Sequence, residues 1–124
     1  MSTEISLPPE AQQILAQLQT FQQQIQATLL QRDSLNLHKI EIQKALEALQ
    51  KVEENENVYK IAGPVLIKTK KSEIEKELKE KLEEIEVKMK SLDKLIKKLE
   101  EKIKERQEKI RAFLEGSASF GGAQ

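Results

Sequence analysis

Residues 58–70, with the sequence VYKIAGPVLIKTK, read as a β-hairpin and constrain the fold more than any other part of the chain. Gly63 and Pro64 mark the turn, because proline has no N–H to give to a strand ladder. Two strands alone are only marginally stable in water, and their edges leave N–H and C=O groups unpaired. No other strand is predicted, so we expect this hairpin to pair with strands of other chains and the protein to be part of an assembly.

A long amphipathic helix is predicted before the hairpin, over residues 9–54. Its apolar residues recur in alternating steps of three and four, which is the repeat of a coiled-coil seam. Thr28, Arg32 and Lys39 also fall on seam positions, whereas several leucines in this region lie off the seam. The sequence therefore predicts looser or shifted packing in the middle of this helix.

A second long helix is predicted after the hairpin, over residues 72–115. Ser72 and Glu75 have the spacing of a capping box at its start, and Gly116 is a natural stop at its end. Its seam from Leu78 to Phe113 keeps a strict repeat of 3.5 residues. All residues of this seam are apolar except Arg106. Such a repeat predicts a left-handed supercoil with a partner helix.

These elements predict a mainly α fold, in which a long antiparallel two-helix coiled coil is joined by a single β-hairpin. Residues 1–8 are predicted to form an N-terminal tail, and residues 116–124 a flexible C-terminal tail. The two helices have nearly equal predicted lengths, roughly 65–70 Å each at 1.5 Å per residue. An antiparallel arrangement would bring the two ends of the chain together, far from the hairpin.

Composition excludes several classes of protein. The chain has 21 basic and 21 acidic residues, so it lacks the basic surplus typical of a protein that binds nucleic acid. It has no cysteine, which fits a reducing compartment. Neither a signal peptide nor an apolar run long enough to span a membrane is recognisable. We therefore expect a cytoplasmic protein that contacts neither nucleic acid nor membrane.

The residues that carry chemistry in enzymes are scarce. His38 is the single histidine, and we expect it to be an exposed side chain on the surface of the helix. There is no glycine-rich phosphate loop, and the carboxylates alternate with lysines along solvated helix faces. The sequence predicts no catalytic residue, no metal site and no cofactor, and hence no enzyme.

The open end of the coiled coil is the more promising functional surface. Seam residues there lack a further layer above them, so their apolar side chains should be partly exposed, which often marks an interaction site. An ordinary coiled-coil core with frayed ends is the alternative for the same residues. The candidate tip consists of Ile14, Leu15, Leu18, Phe21, Ile110, Phe113 and Leu114.

The helix–hairpin–helix order and the block at residues 58–70 resemble the beta-type subunit of archaeal prefoldin, as do Leu7-Pro-Pro-Glu-Ala-Gln-Gln13 and Phe21-Gln-Gln-Gln24. The resemblance implies a hexamer of two alpha-type and four beta-type subunits, whose hairpins form β-barrels between subunits. It also implies capture of unfolded polypeptides at the coil tips without ATP, and their delivery to a group II chaperonin. Subunit-interface positions would be Val58, Tyr59, Ile61, Val65, Leu66 and Ile67.

A second interpretation stays open at this stage. A structural oligomerisation scaffold would need the same hairpin and the same helices, but its coil tips would bind no client. Suppression of client aggregation separates the two, because a scaffold would not suppress it.

Overall fold

Two long helices flank a two-stranded sheet in the computed structural model, which describes the backbone of residues 7–122 and the side chains of residues 7–116. The order is α1 (Pro9–Gln50), β1 (Val58–Ala62), β2 (Val65–Thr69) and α2 (Lys71–Gly122). The predicted N-terminal tail lies mostly outside these residues, as do the last two residues of the predicted C-terminal tail. No helix in the described range is both long and apolar enough to cross a membrane.

The strands pair antiparallel with Val58 opposite Thr69 and Ala62 opposite Val65. The two-residue connection is Gly63-Pro64, as the sequence predicts. Gly63 has a φ of +58°, which is the left-handed region that glycine enters without a steric penalty. A positive φ at the first turn residue, followed by the fixed negative φ of proline, is the pattern of a type II′ hairpin turn.

Helix α1 ends at Gln50, short of the predicted end at Glu54. The backbone tightens beyond it, because the N–H of Val52 donates to the carbonyl of Leu49 at 3.1 Å. The ammonium group of Lys71 then donates to the Val52 carbonyl at 2.7 Å. A cation from the start of α2 thus donates a hydrogen bond to a carbonyl just beyond the end of α1. A positive charge at this end of a helix also interacts favourably with the helix dipole.

Helix α2 begins at Lys71 and not at a Ser72 cap, so the predicted capping box is wrong. The N–H of Ile74 donates to the carbonyl of Lys70, which places Ser72 inside the first turn. In place of the capping box, the Thr69 hydroxyl is 3.0 Å from the Glu73 carboxylate, to which it donates a hydrogen bond. The last strand residue therefore closes the first turn of the helix.

The predicted stop at Gly116 is not where α2 ends, because the helix continues to Gly122. Gly63 is the only described residue with a positive φ. Gly116 consequently does not take the left-handed conformation that a glycine helix stop requires. The predicted helix end at Gly116 is therefore wrong.

Contacts within the chain define two compact parts, and the first, the terminal part, combines residues 7–30 with residues 93–122. Its helix segments run antiparallel: Ile14 lies with Phe113 along one groove, and Phe21 lies near Lys102. Seam residues form the interior, as predicted. The buried side chains are Ala11, Ile14, Leu18, Thr28, Ile96 and Leu99.

The second part, the hairpin part, comprises residues 31–92. Its helix segments are also antiparallel. The Lys39 ammonium group lies 4.0 Å from the Glu86 carboxylate, and the Lys71 ammonium group donates a hydrogen bond to the Val52 carbonyl. Leu49 and Met89 are its buried apolar residues. The hairpin belongs to this part.

The polar residues on the α1 seam do not shift its phase. The Thr28 side chain is buried, and its hydroxyl donates to the Gln24 carbonyl at 2.7 Å. Bonding back to the preceding turn satisfies this hydroxyl without a cross-helix partner. Arg32 and Lys39 are half-buried on the same seam, whereas the off-seam Leu30 is exposed. The seam therefore stays in register through the middle of the helix.

Candidate functional site

The two faces of the hairpin have different surroundings. One face carries Val58, Lys60, Ala62, Val65, Ile67 and Thr69, and it is turned towards α2. Lys60 on this face donates to Glu77 of α2 at 2.5 Å, and Thr69 donates to Glu73. These two side-chain contacts hold the hairpin against the start of α2.

The opposite face of the hairpin is apolar and uncovered. Ile61 and Leu66 are direct cross-strand partners there, and they are 75% and 65% exposed. Tyr59 shares this face with them, beside Lys68. Large apolar side chains this exposed on a two-stranded sheet are typical of surfaces that associate with other strands.

Five of the six predicted interface residues are exposed in the isolated chain. They are Tyr59, Ile61, Val65, Leu66 and Ile67, whereas Val58 is half-buried. Alternation in the sequence separates the two faces of the first strand, but it did not assign the residues of the second strand to those faces. Ile67 pairs with Lys60 on the face turned to α2, so it does not lie beside Ile61.

The ion pair between Lys60 and Glu77 also affects the pKa of the Glu77 carboxyl group. The hydrogen bond from Lys60 lowers the pKa of Glu77 below its ordinary value of 4.5. Desolvation of the carboxylate opposes this, and the charges of Lys60 and Lys81 add to the lowering. Because the pKa of Glu77 is lower in the folded state than in the unfolded state, the ionised carboxylate stabilises the folded state above pH 4.5. This stabilisation is lost as the pH falls through the lowered pKa.

We expect the Lys60→Gln variant to raise the pKa of Glu77 back towards 4.5. The remaining charge of Lys81 is the weakest of the lowering contributions, so it should hold the pKa down only slightly. Carbon-13 NMR titration of the Glu77 carboxyl measures the change, with Lys81→Gln as a control that should produce the smaller rise. An equal midpoint in the wild type and in Lys60→Gln would contradict the assigned cause.

The terminal part carries an open groove of about 830 Å³ between the first turns of α1 and the last turns of α2. Apolar side chains and polar side chains share its lining. We call it the terminal groove, and its lining residues are Pro8, Glu10, Gln13, Ile14, Gln17, Arg106, Lys109, Ala112, Phe113 and Gly116.

Two of the predicted tip residues, Ile14 and Phe113, lie together in the terminal groove. Ile14 is otherwise buried in the seam, and Leu18 is buried beside it without lining the groove. Phe21 and Ile110 are half-buried seam residues. Leu15 and Leu114 are 40% and 53% exposed, outside the groove lining. The predicted tip is thus partly core and partly surface.

Charged groups surround the apolar lining of the groove. Glu105 lies 3.7 Å from Arg106 and 3.5 Å from Lys109, so both cations share one carboxylate. Further along this part, the Lys102 ammonium lies 5.4 Å from the centre of the Phe21 ring, within the range of a cation–π contact.

Sequence reasoning missed the glutamines of the groove. Gln13 and Gln17 line it, although neither is on the apolar seam. Both lie on the helix flank next to the seam, one turn apart. A helical-wheel projection of the predicted helix places them beside Ile14, so the sequence contained enough information to include them in the predicted tip.

No metal-ligating cluster accompanies these surfaces in the described part of the chain. No cluster there contains three side chains of the types that hold a metal ion. His38 is exposed and lies 3.6 Å from Glu41.

Comparison with known proteins agrees with this architecture. The sequence model of the family described as "Prefoldin subunit" matches residues 12–117. The "Prefoldin subunit beta" of Archaeoglobus fulgidus is 47% identical over 77 residues, which cover 62% of this chain and 66% of that protein. That of Thermococcus onnurineus is 42% identical over 78 residues, which cover 63% of this chain and 67% of that protein. The aligned segments thus span about two thirds of the length of these relatives.

A solved structure extends the similarity over most of the chain. The crystal structure of the prefoldin beta subunit from Thermococcus strain KS-1 matches with a TM-score of 0.81 and 37% identity, covering 88% of this chain and 96% of that one. The prefoldins are chaperones and not a family of enzymes, and their beta subunits form hetero-oligomers with alpha subunits. The chain therefore belongs to the prefoldin family, as a subunit of the beta type.

Proposed function

We propose that this chain is one subunit of an ATP-independent holdase that captures unfolded polypeptides at its terminal groove. The groove is the observation that carries the proposal. It combines a half-buried aromatic side chain, Phe113, with Ile14 and Ala112 in an open cavity wide enough for several side chains. Unfolded chains expose apolar side chains that would be buried on such a surface, at about 25 cal/mol for each Å².

The assembly proposed is a hexamer of two alpha-type and four beta-type subunits, held together by β-barrels between their hairpins. The uncovered face with Tyr59, Ile61 and Leu66 supports this, because an apolar sheet face and two free strand edges can be satisfied by neighbouring strands. Barrel closure would remove the edges and bury the apolar side chains.

The proposed place of action is the cytoplasm, and the proposed acceptor of the captured client is a group II chaperonin. No nucleotide, metal or other cofactor is needed, since holding a client is a binding equilibrium and requires no covalent step. Several grooves in one assembly would bind a long client together, which raises the overall affinity without any stronger single contact.

Light scattering of a denatured client protein tests the proposal. The complex of this chain with its alpha-type subunit is expected to suppress aggregation at ratios near one complex per client, without ATP. A complex lacking residues 1–21 and 106–124 of this chain should lose most of the suppression while keeping its mass in sedimentation. A complex that assembles but never suppresses aggregation would instead identify the chain as a structural scaffold.

A further inference from the structure

Two of the four residues that α1 contributes to the wall of the terminal groove are neutral amides. The sequence contains no charged residue from Ala11 to Gln31, although glutamine recurs throughout this segment. Gln13 and Gln17 are the members that line the groove, and Glu10 is the one charged residue of this wall. Such a long uncharged stretch is unusual beside a coiled-coil seam, where charged residues commonly flank the apolar positions.

The amides of Gln13 and Gln17 are free to bind a ligand. Within residues 7–116 neither side chain has a hydrogen-bond partner, whereas the neighbouring Gln12 amide donates to the Leu7 carbonyl at 2.9 Å. Each glutamine amide offers two donors and one acceptor oxygen. It can therefore pair with either the N–H or the C=O group of a peptide main chain.

The spacing of these two amides matches an extended polypeptide. Residues four apart on a helix are separated by about 6 Å along its axis. Residues two apart in an extended chain are separated by about 6.6 Å and present their backbone groups to the same side. An extended segment lying along α1 would thus bring successive backbone groups opposite Gln13 and Gln17.

The positive and negative charges at the groove balance each other, which favours an uncharged occupant. The cations Arg106 and Lys109 are close to Glu105, and Glu10 lies on the other wall. Two positive and two negative groups leave no net charge that would attract a strongly acidic or a strongly basic segment. An uncharged segment with apolar side chains fits both the balanced charge and the lining by Ile14, Ala112 and Phe113.

We propose that Gln13 and Gln17 bind the main chain of an extended, uncharged client segment, whose apolar side chains pack on Phe113 and its neighbours in the terminal groove. This deepens the proposed holdase function and rests on it. Recognition of the main chain, which all polypeptides share, lets one groove accept clients of different sequence. The two glutamines then set the conformation that is bound, and the apolar residues supply the contact area.

The deciding variant is Gln13→Met with Gln17→Met. Methionine has nearly the shape of glutamine and is a good helix former, but it removes the hydrogen-bonding groups and is more apolar. If apolar contact alone held clients, this variant would bind as tightly as the wild type or more tightly. If the amides bind the main chain, it will bind more weakly. The two explanations therefore predict opposite signs.

A matched control is available on the same helix. Gln22 and Gln26 are also one turn apart, exposed, and without a partner in the described residues, but they lie on the other flank of the seam and do not line the groove. Replacing both by methionine changes composition and helix propensity equally. Thermal melts followed by circular dichroism verify that both variants fold.

The probe is a fluorescent, uncharged peptide of Leu, Ala, Ser and Thr, about ten residues long and too short to form a stable helix. A second probe carries N-methyl groups on alternate amides, which removes main-chain donors without removing side chains. Binding is measured by fluorescence anisotropy with the complex that contains the alpha-type subunit. Aggregation suppression is recorded for the same preparations.

The Gln13→Met, Gln17→Met complex is expected to bind the first probe about tenfold more weakly, the effect of two ordinary hydrogen bonds. The Gln22→Met, Gln26→Met complex should bind like the wild type. N-methylation should weaken wild-type binding by a similar factor and have little effect on the groove variant. Equal or tighter binding by the groove variant, with aggregation suppression intact, overturns this inference and leaves the holdase proposal standing. A wild-type complex that neither binds the probe nor suppresses aggregation overturns both.

Discussion

Replacing Ile61 and Leu66 by aspartate is expected to prevent this chain from assembling while leaving its helices folded. The two side chains are direct partners on the uncovered face of the hairpin. Closing a barrel over this face would bury two carboxylates opposite each other, which costs several kcal/mol in desolvation and like-charge repulsion. The helices should persist, because their buried seam residues lie elsewhere in the chain.

Sedimentation of the variant mixed with its alpha-type subunit measures the loss of assembly, and circular dichroism measures the helix content. The matched control replaces Leu37 and Val87 by aspartate, because these apolar helix residues are similarly exposed but lie outside the hairpin. The control should assemble normally. An unchanged mass for the hairpin variant would show that the opposite face of the hairpin is not the assembly surface.

Replacing Phe113 and Leu114 by glutamine is expected to reduce the suppression of client aggregation by about tenfold or more. Burial of one large apolar side chain contributes about 1.5–3 kcal/mol, and a loss of 1.4 kcal/mol corresponds to a factor of ten in affinity. Because several copies act on one client, the loss at each groove is compounded in the whole assembly. The light-scattering assay with denatured client gives the measurement.

The matched control replaces Leu29 and Leu30 by glutamine. These are also adjacent apolar residues of the terminal part, and both are exposed, but neither lines the groove, whereas Phe113 does. Sedimentation should give the wild-type mass for both variants. Equal suppression by the Phe113 variant and this control would remove the groove from the proposed mechanism, since general surface apolarity would then account for binding.

The sequence proved most informative where a feature depends on local periodicity. The seam of α2 could be predicted residue by residue, and it includes the half-buried Arg106. The seam of α1 keeps its phase through Thr28, Arg32 and Lys39, so the shift in packing expected from their polarity does not occur. The helix repeat and the preferences of the turn residues are properties of neighbouring residues, so a single sequence is sufficient to reveal them.

Helix ends were predicted less well, because side-chain contacts outside the usual cap motifs stabilise them. The Lys71 ammonium bonds to Val52 at the end of α1, and the Thr69 side chain bonds to Glu73 at the start of α2. Neither contact follows from a cap motif. Gly116 illustrates the same limit, since a glycine permits a helix stop without requiring one.

By itself, the sequence determined the two long helices, their apolar seams and the single hairpin with its Gly63-Pro64 turn. Only the tertiary structure decided which face of the hairpin is uncovered, through the bond from Lys60 to Glu77, and which residues line the terminal groove. The physical reason is one of distance along the chain. Periodicity places side chains on a face of their own element, whereas the neighbour that covers or exposes that face comes from residues far away in sequence.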